Sequence, residues 1–482
     1  MRVIARVSEQ AGVAAFRLER TDPLCWRSSI EAELAHGGRF LGLYALAGES
    51  DPEVRAAFAG EDAAVVSTPA IDGHLPSIID IIPAANWDER EAHDLFGVAF
   101  DGHEPLRPLV EHDQDIGRWV VPVRGHDPYQ VAVGPIHAGI IESGHFRFHV
   151  VGDRILHVDL RLFYKHRGLE RAAENSDATA GGIAYAQRAC GGCAVSNSVA
   201  YAHAVESAMG LWPDDQLANI RTVLLELERL WNYLNDISAI CAGVAFAPGT
   251  MAFAALKERA LRLNREIGGH RFLFDTVAVA TSPVSIRSKD ARRLREALSD
   301  IRADAARYWR ELHFNSSVQS RLGGVGALSR DRALRLGTAG PAARASSVAF
   351  DCRQDSPRLS YTDFTPTMLS LSGDVAGRLQ QRVGELATTF ELLDDLLERP
   401  LYEGQTTVER HSAPLGIGRT ESPRGETVCV VELDGSRVGR LHLRSGSYAN
   451  WPSLAAACAG NLLPDFPLIN KSFELCYACC DR

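Results

Sequence analysis

Over much of the second half of the chain, apolar residues return every three to four positions, the period of one helix face. Leu224, Leu227, Trp231, Leu234 and Cys241 fall on such a stripe, and Pro213 followed by Asp214 offers a start for the helix that carries them. Similar patterns predict helices from Ala252 to Ile267, from Lys289 to Leu312 and from Thr367 to Leu397. Helices of this length pack as a bundle. Ahead of them, apolar runs on either side of Gly152-Asp153 predict a short β-hairpin.

The N-terminal pattern is different. Short apolar runs such as Phe40 to Leu46 and Ala63 to Val66 alternate with Gly, Pro and Asp turns, as in a small α+β unit. The unit closes on a helix starting at Asn86. Asn86 and Glu89 have capping-box spacing, Leu95 and Phe96 end the apolar face, and Gly97 suits a C-terminal stop. The acids of this helix and His93 are expected on a solvated or docking face. A polar, aperiodic stretch follows, so the expected organisation is an α+β domain over residues 1–112, a linker over 113–129, and a mainly α-helical bundle domain with a short β-hairpin over 130–482.

Ile237 to Leu256 runs twenty residues without a charge, enough to span a bilayer. Pro248-Gly249 interrupts it and Ala and Gly dominate it, so a buried helix end and loop are expected instead. With 51 basic against 61 acidic residues the net charge is −10, which argues against a nucleic-acid partner. Ten cysteines in 482 residues are too dilute for a disulfide scaffold, and Met1-Arg-Val-Ile-Ala-Arg6 lacks an apolar signal segment, so a reducing cytoplasm is expected.

Four of those cysteines carry the chemistry. Cys190-Gly-Gly-Cys193 and Cys476-Tyr-Ala-Cys479 are two Cys-x-x-Cys turns at opposite ends of the second region. Each points two sulfurs at one site, and together they can close a shell around a soft metal. On the cysteines alone a structural zinc ion is the ordinary reading, although zinc knuckles bring their pairs together over shorter spans. Cys25, Cys352, Cys429 and Cys458 have no partner at metal-binding spacing, and His203 and Cys241 lie within helical patterns as core or surface residues.

Two sets of motifs resemble known families. Glu89-Arg-Glu-Ala-His-Asp-Leu-Phe-Gly97, Phe100-Asp-Gly-His103 and Leu106-Arg-Pro-Leu109 resemble the signature of the 30 kDa subunit of respiratory complex I. The second region is similar to the large subunit of membrane-associated, complex I-related nickel–iron hydrogenases of the formate hydrogenlyase and hydrogenase-4 type. That likeness rests on His166-Arg-Gly-Leu-Glu170, Arg188-Ala-Cys190-Gly-Gly-Cys193, Leu224-Leu-Glu-Leu-Glu-Arg-Leu230, Gly340-Pro-Ala-Ala-Arg344, Pro423-Arg-Gly425, and Asp465-Phe-Pro-Leu-Ile-Asn-Lys-Ser-Phe473 leading to Cys476 and Cys479.

The resemblance implies a nickel–iron centre with carbon monoxide and cyanide on the iron. Cys190 and Cys476 would bind nickel alone, and Cys193 and Cys479 would bridge the two metals. Glu170 would relay protons, its pKa raised by burial. Arg424 would stand over the site near the cyanide ligands, and Asp465 and Ser472 would line the iron side. Implied partners are a hydrogenase small subunit with a [4Fe–4S] cluster, other iron–sulfur and membrane subunits, and formate dehydrogenase. The assembly would sit on the cytoplasmic face of a membrane. Complex I itself has a related subunit without the four cysteines.

Some positions depart from the pattern. Asn197 stands where the family commonly has a histidine, Tyr233 replaces another, and Arg444-Ser-Gly-Ser447 matches only part of a signature. Cys480 adds a thiol that could compete with Cys479. Two alternatives stay open. One is a connecting or quinone-associated subunit without an assembled centre, for which His137 in Gly134-Pro-Ile-His137 is the residue of interest; the other is a structural zinc protein.

Overall fold

A computed structural model describes every residue except 1–2, 6–15, 61–62, 113–118, 140, 370, 399–400, 403 and 409–411. The chain forms two compact units. One comprises Met1–Pro122 with Arg161–Tyr164 and Arg335–Gly337; the other comprises Val123–Leu160, Lys165–Leu334 and Thr338–Arg482. Residues 113–118 of the expected linker lie outside the described set, and just beyond them Trp119 is buried, its ring 5.6 Å from the Arg161 guanidinium.

In the first unit, strands β1 (Val3–Ala5), β2 (Phe16–Arg20), β3 (Arg39–Leu46), β4 (Glu53–Ala59) and β5 (Ala63–Pro69) form a sheet in the order β1-β2-β5-β4-β3. All pairings are antiparallel except β2 with β5. Helix α1 (Trp26–Ala35) buries Trp26 and Ile30 in a core with Val54, Phe58 and Val66. A short parallel pair, β6 (His74–Pro76) and β7 (Ala99–Asp101), flanks helix α2 (Asn86–Phe96).

Helix α2 corrects two expectations. The capping box does not form: Asn86 already has helical dihedrals, and its amide lies 3.0 Å from His103 Nε2. Glu89 accepts instead from Ser77 Oγ at 2.8 Å, the Ile78 amide at 2.7 Å and His103 Nδ1 at 2.7 Å. The acids are not on a solvated face either. Asp88, Glu89 and Glu91 are buried, whereas Leu95 is exposed. Arg90 donates to the carbonyls of Arg107 and Pro108, and Asp94 accepts from the amides of Leu109 and Val110. The charged signature thus ties the helix to the segment that follows it. Gly97 ends the helix with φ 75°, as its position suggested.

The second unit begins with β8 (Tyr129–Val133), β9 (His145–Val151) and β10 (Arg154–Arg161), in the order β10-β9-β8. The expected hairpin around Gly152 is therefore part of a three-stranded sheet. Helices follow: α3 (Leu169–Ala173), α4 (Gly182–Arg188), α5 (Ala194–Met209), α6 (Asp215–Gly243), α7 (Ala247–Gly268) and α8 (Ser288–His313). Strand β11 (Leu211–Pro213) pairs with β12 (Thr406–Val408). Asp214 caps α6 by accepting from the Leu217 amide at 2.8 Å. The uncharged stretch 237–256 forms the end of α6, a turn and the start of α7, and among the described residues no helix is long and apolar enough to cross a membrane.

Further along come α9 (Ser316–Leu322), α10 (Arg330–Arg335), α11 (Gly340–Ala345), α12 (Val375–Leu396), α13 (Gly446–Cys458) and α14 (Phe466–Phe473). The helix expected from Thr367 starts only at Val375. Gly373 takes φ 69°, and Asp374 caps the helix by accepting from the Gly377 amide at 2.8 Å. A second three-stranded sheet, β13 (Leu415–Ser422), β14 (Gly425–Asp434) and β15 (Arg437–Arg444), was not anticipated. The run Thr427-Val-Cys-Val-Val431, β-branched at four of its five positions, and the Asp434-Gly435 turn are its sequence signal.

Strand β13 lies directly on α5. A side chain at Gly416 or Gly418 would strike the Ala204 or Ala200 carbonyl oxygen of that helix. Gly418→Ala is expected to destabilise the protein by about 3 kcal/mol, because backbone rather than a mobile side chain must move. Thermal or denaturant unfolding of the variant checks this.

Candidate metal centre

The cysteine pairs sit where regular structure ends. Helix α4 runs into an extended Cys190, then a 3₁₀ turn at Gly191–Cys193, and α5 starts at the next residue. Helix α14 ends with Glu474 at φ 50°, which turns the chain into Cys476. The sulfurs of Cys190, Cys193, Cys476 and Cys479 all lie within 4.8 Å of one another. Three of these residues are buried and Cys476 is half-buried. Cys480 is buried as well, but stands outside the four-sulfur group.

Polar side chains hold the loops from several directions. Arg167 donates from Nη1 to the Arg188 carbonyl at 3.0 Å and from Nη2 to the carbonyls of Ala189 at 2.9 Å and Ala478 at 3.2 Å. A single guanidinium therefore joins the approach to Cys190 with the loop between Cys476 and Cys479. Glu142 accepts from the Ala478 amide at 2.9 Å, and Ser447 Oγ accepts from the Cys476 amide at 3.0 Å. The Asn232 amide donates to the Gly192 carbonyl at 2.9 Å. The Glu228 carboxylate accepts from the Val195 and Ser196 amides at 2.6 and 3.0 Å, capping α5 just behind Cys193.

Arg424 turns toward the same place. It lies in the tight connection between β13 and β14, where Gly425 takes φ 122° and a Cβ would fall 2.7 Å from Ala339 Cβ. Its guanidinium pairs with Asp236 and donates to Asn232 Oδ1 at 3.1 Å, leaving Nε buried without a partner among the described residues. Asp236 also takes Arg382 at 2.9 Å. Hydrogen bonds from the other three thiols, together with the Arg424 charge, hold the Cys476 thiol well below its ordinary range against the opposing effect of burial. Neighbouring thiols and burial push Cys193 and Cys479 up.

Glu170 is placed elsewhere. It is buried in the first turn of α3, and among the described residues no hydrogen bond joins it to a cysteine. Its Oε1 accepts from the Leu443 amide at 2.8 Å and from Arg482 Nε at 2.7 Å, Oε2 lies 3.1 Å from Arg440, and His442 Nδ1 lies 3.5 Å from Oε1. Burial alone would raise its pKa, as expected from the sequence. Arg482, His442 and Arg440 outweigh burial and hold it well below the usual carboxylate range. Its partners are these groups, not Arg167 or Arg171 nearby in sequence.

Other positions are distributed as follows. Asn197 is fully buried one turn after Cys193, and neither atom of its amide has a partner among the described residues. Ser472 accepts from Arg378 at 2.9 Å, and Asp465 is half-buried at the start of α14. Tyr233 donates to Glu385 at 2.5 Å. His137 lies 2.7 Å from the Gly144 carbonyl. His203, Cys241, Cys352, Cys429 and Cys458 are buried, and Cys25 is exposed. Sequence reasoning missed Glu228, Asn232 and Asp236. Their signal is a polar stripe at i, i+4 and i+8 along one face of the helix.

The donor set fits a soft metal. Four thiolates around one ion with metal–sulfur bonds of about 2.3 Å stand about 3.8 Å apart, and Cys193 and Cys476 are already 3.9 Å apart. The buried, unpartnered nitrogen of Arg424 and the unpartnered amide of Asn197 are unexpected beside a site made of thiols alone.

Comparison with known proteins gives the lineage. The profile of the family "Respiratory-chain NADH dehydrogenase, 49 Kd subunit" matches residues 245–416 and 411–482, and that of the 30 Kd subunit matches residues 32–130. The chain is 30% identical over 439 residues to formate hydrogenlyase subunit 5 of Escherichia coli, covering 84% of this chain and 77% of that protein. It is also 30% identical over 438 residues to hydrogenase-4 component G of Escherichia coli, covering 85% and 76%. A subunit of the membrane-bound sulfane sulfur reductase, an archaeal respiratory membrane complex, superimposes with a TM-score of 0.67 at 26% identity, covering 74% of this chain and 99% of that one. The chain belongs to the complex I 49 kDa family of oxidoreductase subunits, in the group that carries a 30 kDa-type domain on the same chain and includes formate hydrogenlyase subunit 5 and hydrogenase-4 component G.

Proposed function

We propose that this chain is the catalytic subunit of a [NiFe]-hydrogenase, interconverting dihydrogen with protons and electrons. The observation that carries the reading is the meeting of four sulfurs from two distant Cys-x-x-Cys turns beside a buried arginine. Cys190, Cys193, Cys476 and Cys479 would hold nickel, with Cys193 and Cys479 also reaching iron. When bound, such a centre, with carbon monoxide and cyanide on the iron, supplies the redox chemistry. Thiolates suit a soft metal pair that changes oxidation state.

The chain's own residues would do the rest. Arg424, fixed by Asp236 and Asn232, keeps a guanidinium N–H available to anionic ligands and does not titrate. Arg167 sets the separation of the two cysteine loops. Glu170 would act as a proton relay from its ionised form, accepting a proton at a carboxylate oxygen and passing it on toward the exterior. Electrons would leave to a [4Fe–4S] cluster in a partner small subunit, with other iron–sulfur and membrane subunits completing an assembly on the cytoplasmic face. Formate dehydrogenase is a further partner in this reading.

A second reading is a connecting or quinone-associated subunit without an assembled centre. Asn197 in place of the expected histidine favours it, as does likeness to a sulfane sulfur reductase subunit. Nickel and iron content, with an infrared spectrum of the anaerobically purified assembly, separates the two. Nickel with bands from iron-bound carbon monoxide and cyanide is the expected outcome; iron-free protein with zinc or no metal overturns the hydrogenase reading.

Three variants sharpen the assignment. Cys476→Ser should abolish nickel retention. Glu170→Gln should keep nickel and lose turnover by about 100-fold or more, the scale of general acid–base catalysis, so full turnover would remove Glu170 from the relay. Arg167→Ala should lower metal retention roughly tenfold, the scale of an outer-sphere partner. Arg167→Lys should recover little of it, because one ammonium cannot span three carbonyls. Nickel content after dialysis reads both Arg167 variants.

A further inference from the structure

A cluster of charged groups between α6, α11, α12 and β13 has no part in the mechanism above. Glu226 and Arg229 stand on α6, Arg344 on α11, Glu385 on α12 and Glu421 on β13; Asp351 and Arg353 belong to the turn between α11 and α12. All seven are almost completely buried. Arg344 reaches Glu385 at 2.6 and 2.9 Å, Glu421 at 2.9 Å and Asp351 at 3.1 Å. Arg353 reaches Asp351 at 2.8 Å and Glu226 at 3.4 Å, and Arg229 reaches Glu226 at 3.1 Å. Tyr361 and Thr389 also donate to Glu226, while Tyr233 and Gln381 donate to Glu385.

The charges do not balance. Four carboxylates face three guanidinium groups, and Arg419, the next arginine along β13, is taken by Glu426 at 2.8 Å and Asp355 at 3.1 Å. A net charge in a sealed interior costs several kcal/mol even after relaxation. A second observation marks the same place. Gln381 donates its amide N–H to Glu385 at 2.8 Å, yet its own oxygen is buried with no donor among the described residues.

We propose that this cluster is a proton-binding site, in which Glu421 takes one proton from solvent and holds it as the O–H of a neutral carboxylic acid. The cluster then contains three carboxylates and three guanidinium groups. Burial and the Asp351 carboxylate push Glu421 up to about 7, against the pull of Arg344, Arg353 and Arg229. Those guanidinium groups overcome burial at Asp351, Glu226 and Glu385 and hold each below the ordinary carboxylate range. The Cys352 amide also faces Glu421, donating to Oε2 at 3.1 Å, and the thiol of the same residue is pushed up by burial, with the Glu421 carboxylate adding to the rise.

The site adjoins the cysteine centre through backbone. Arg229 Nη2 donates to the Glu421 carbonyl at 2.6 Å, Asn232 follows one turn later on α6, and Arg424 is three residues beyond Glu421. Under the hydrogenase reading, a proton bound here offsets negative charge arriving at the cysteines. That use rests on the proposed function; the binding of the proton does not.

Infrared difference spectra of the full-length chain, taken between about pH 5.5 and pH 8.5, test the proposal across the window in which Glu421 titrates. A carboxylic-acid carbonyl component should be present at the lower pH, lost at the higher, and missing from Glu421→Gln. Glu385→Gln leaves three carboxylates against three guanidinium groups with Glu421 intact, so it should lose the same component. Persistence of the component in folded Glu421→Gln, or its unchanged presence in Glu385→Gln, overturns the proposal; if Glu421→Gln does not fold, Glu385→Gln decides. Stability gives an independent readout. The folded chain binds this proton more tightly than the unfolded chain, so the stabilisation is present in acid and is lost as pH rises through about 7. Glu421→Gln should lack that loss. None of these measurements depends on a loaded metal centre, so their failure is distinct from failure of the hydrogenase reading.

Discussion

The first cysteine loop and the arginine beside it depend on three polar side chains, one turn apart on a single buried helix. Glu228, Asn232 and Asp236 of α6 hold, in that order, the first amides of α5, the Gly192 carbonyl and the Arg424 guanidinium. Each is buried where an unpaired group would cost about 1–3 kcal/mol. The helix that forms the wall of the bundle therefore also sets the positions of the Cys190–Cys193 loop and Arg424. Arg167 links the first cysteine loop to the C-terminal one, which Glu142 and Ser447 also hold.

Much of this was legible along the chain, and the reasons differ by element. The helices α6, α7 and α8 declare themselves because their apolar period is long, and α6 has a capping aspartate after a proline. The pairing of the two Cys-x-x-Cys turns was legible because four soft donors of matching spacing have few other uses. The sheet β13–β15 was not, because its strands are buried on both faces and carry no clean alternation. The capping box at Asn86 failed for a different reason. Glu89 gains more from three donors in its own domain than from one orphan amide, and tertiary contacts overrode the local motif.

Glu170 shows the limit most clearly. Burial of a carboxyl group can be guessed from a motif, and burial by itself raises the pKa. The sign depends on which cations arrive, and Arg440, His442 and Arg482 are far away in sequence. No spacing rule connects Glu170 to them. Guanidinium groups decide the interior electrostatics of this domain more generally. Arg221, Arg229, Arg344, Arg353, Arg378 and Arg382 are all among its largest fully buried side chains, a use suited to a cation that keeps its charge and donates in several directions.

The absence of side chains at Gly416 and Gly418 has a consequence for change over time. Because β13 rests on the backbone of α5, the strand cannot shift without the helix. The helix begins one residue after Cys193, and the strand ends two residues before Arg424. Cysteine and arginine are thus mounted on a single rigid body, and neither can be moved by gradual substitution of its own surroundings. Remodelling this site, by selection or by engineering, would have to exchange helix and strand together as one cassette.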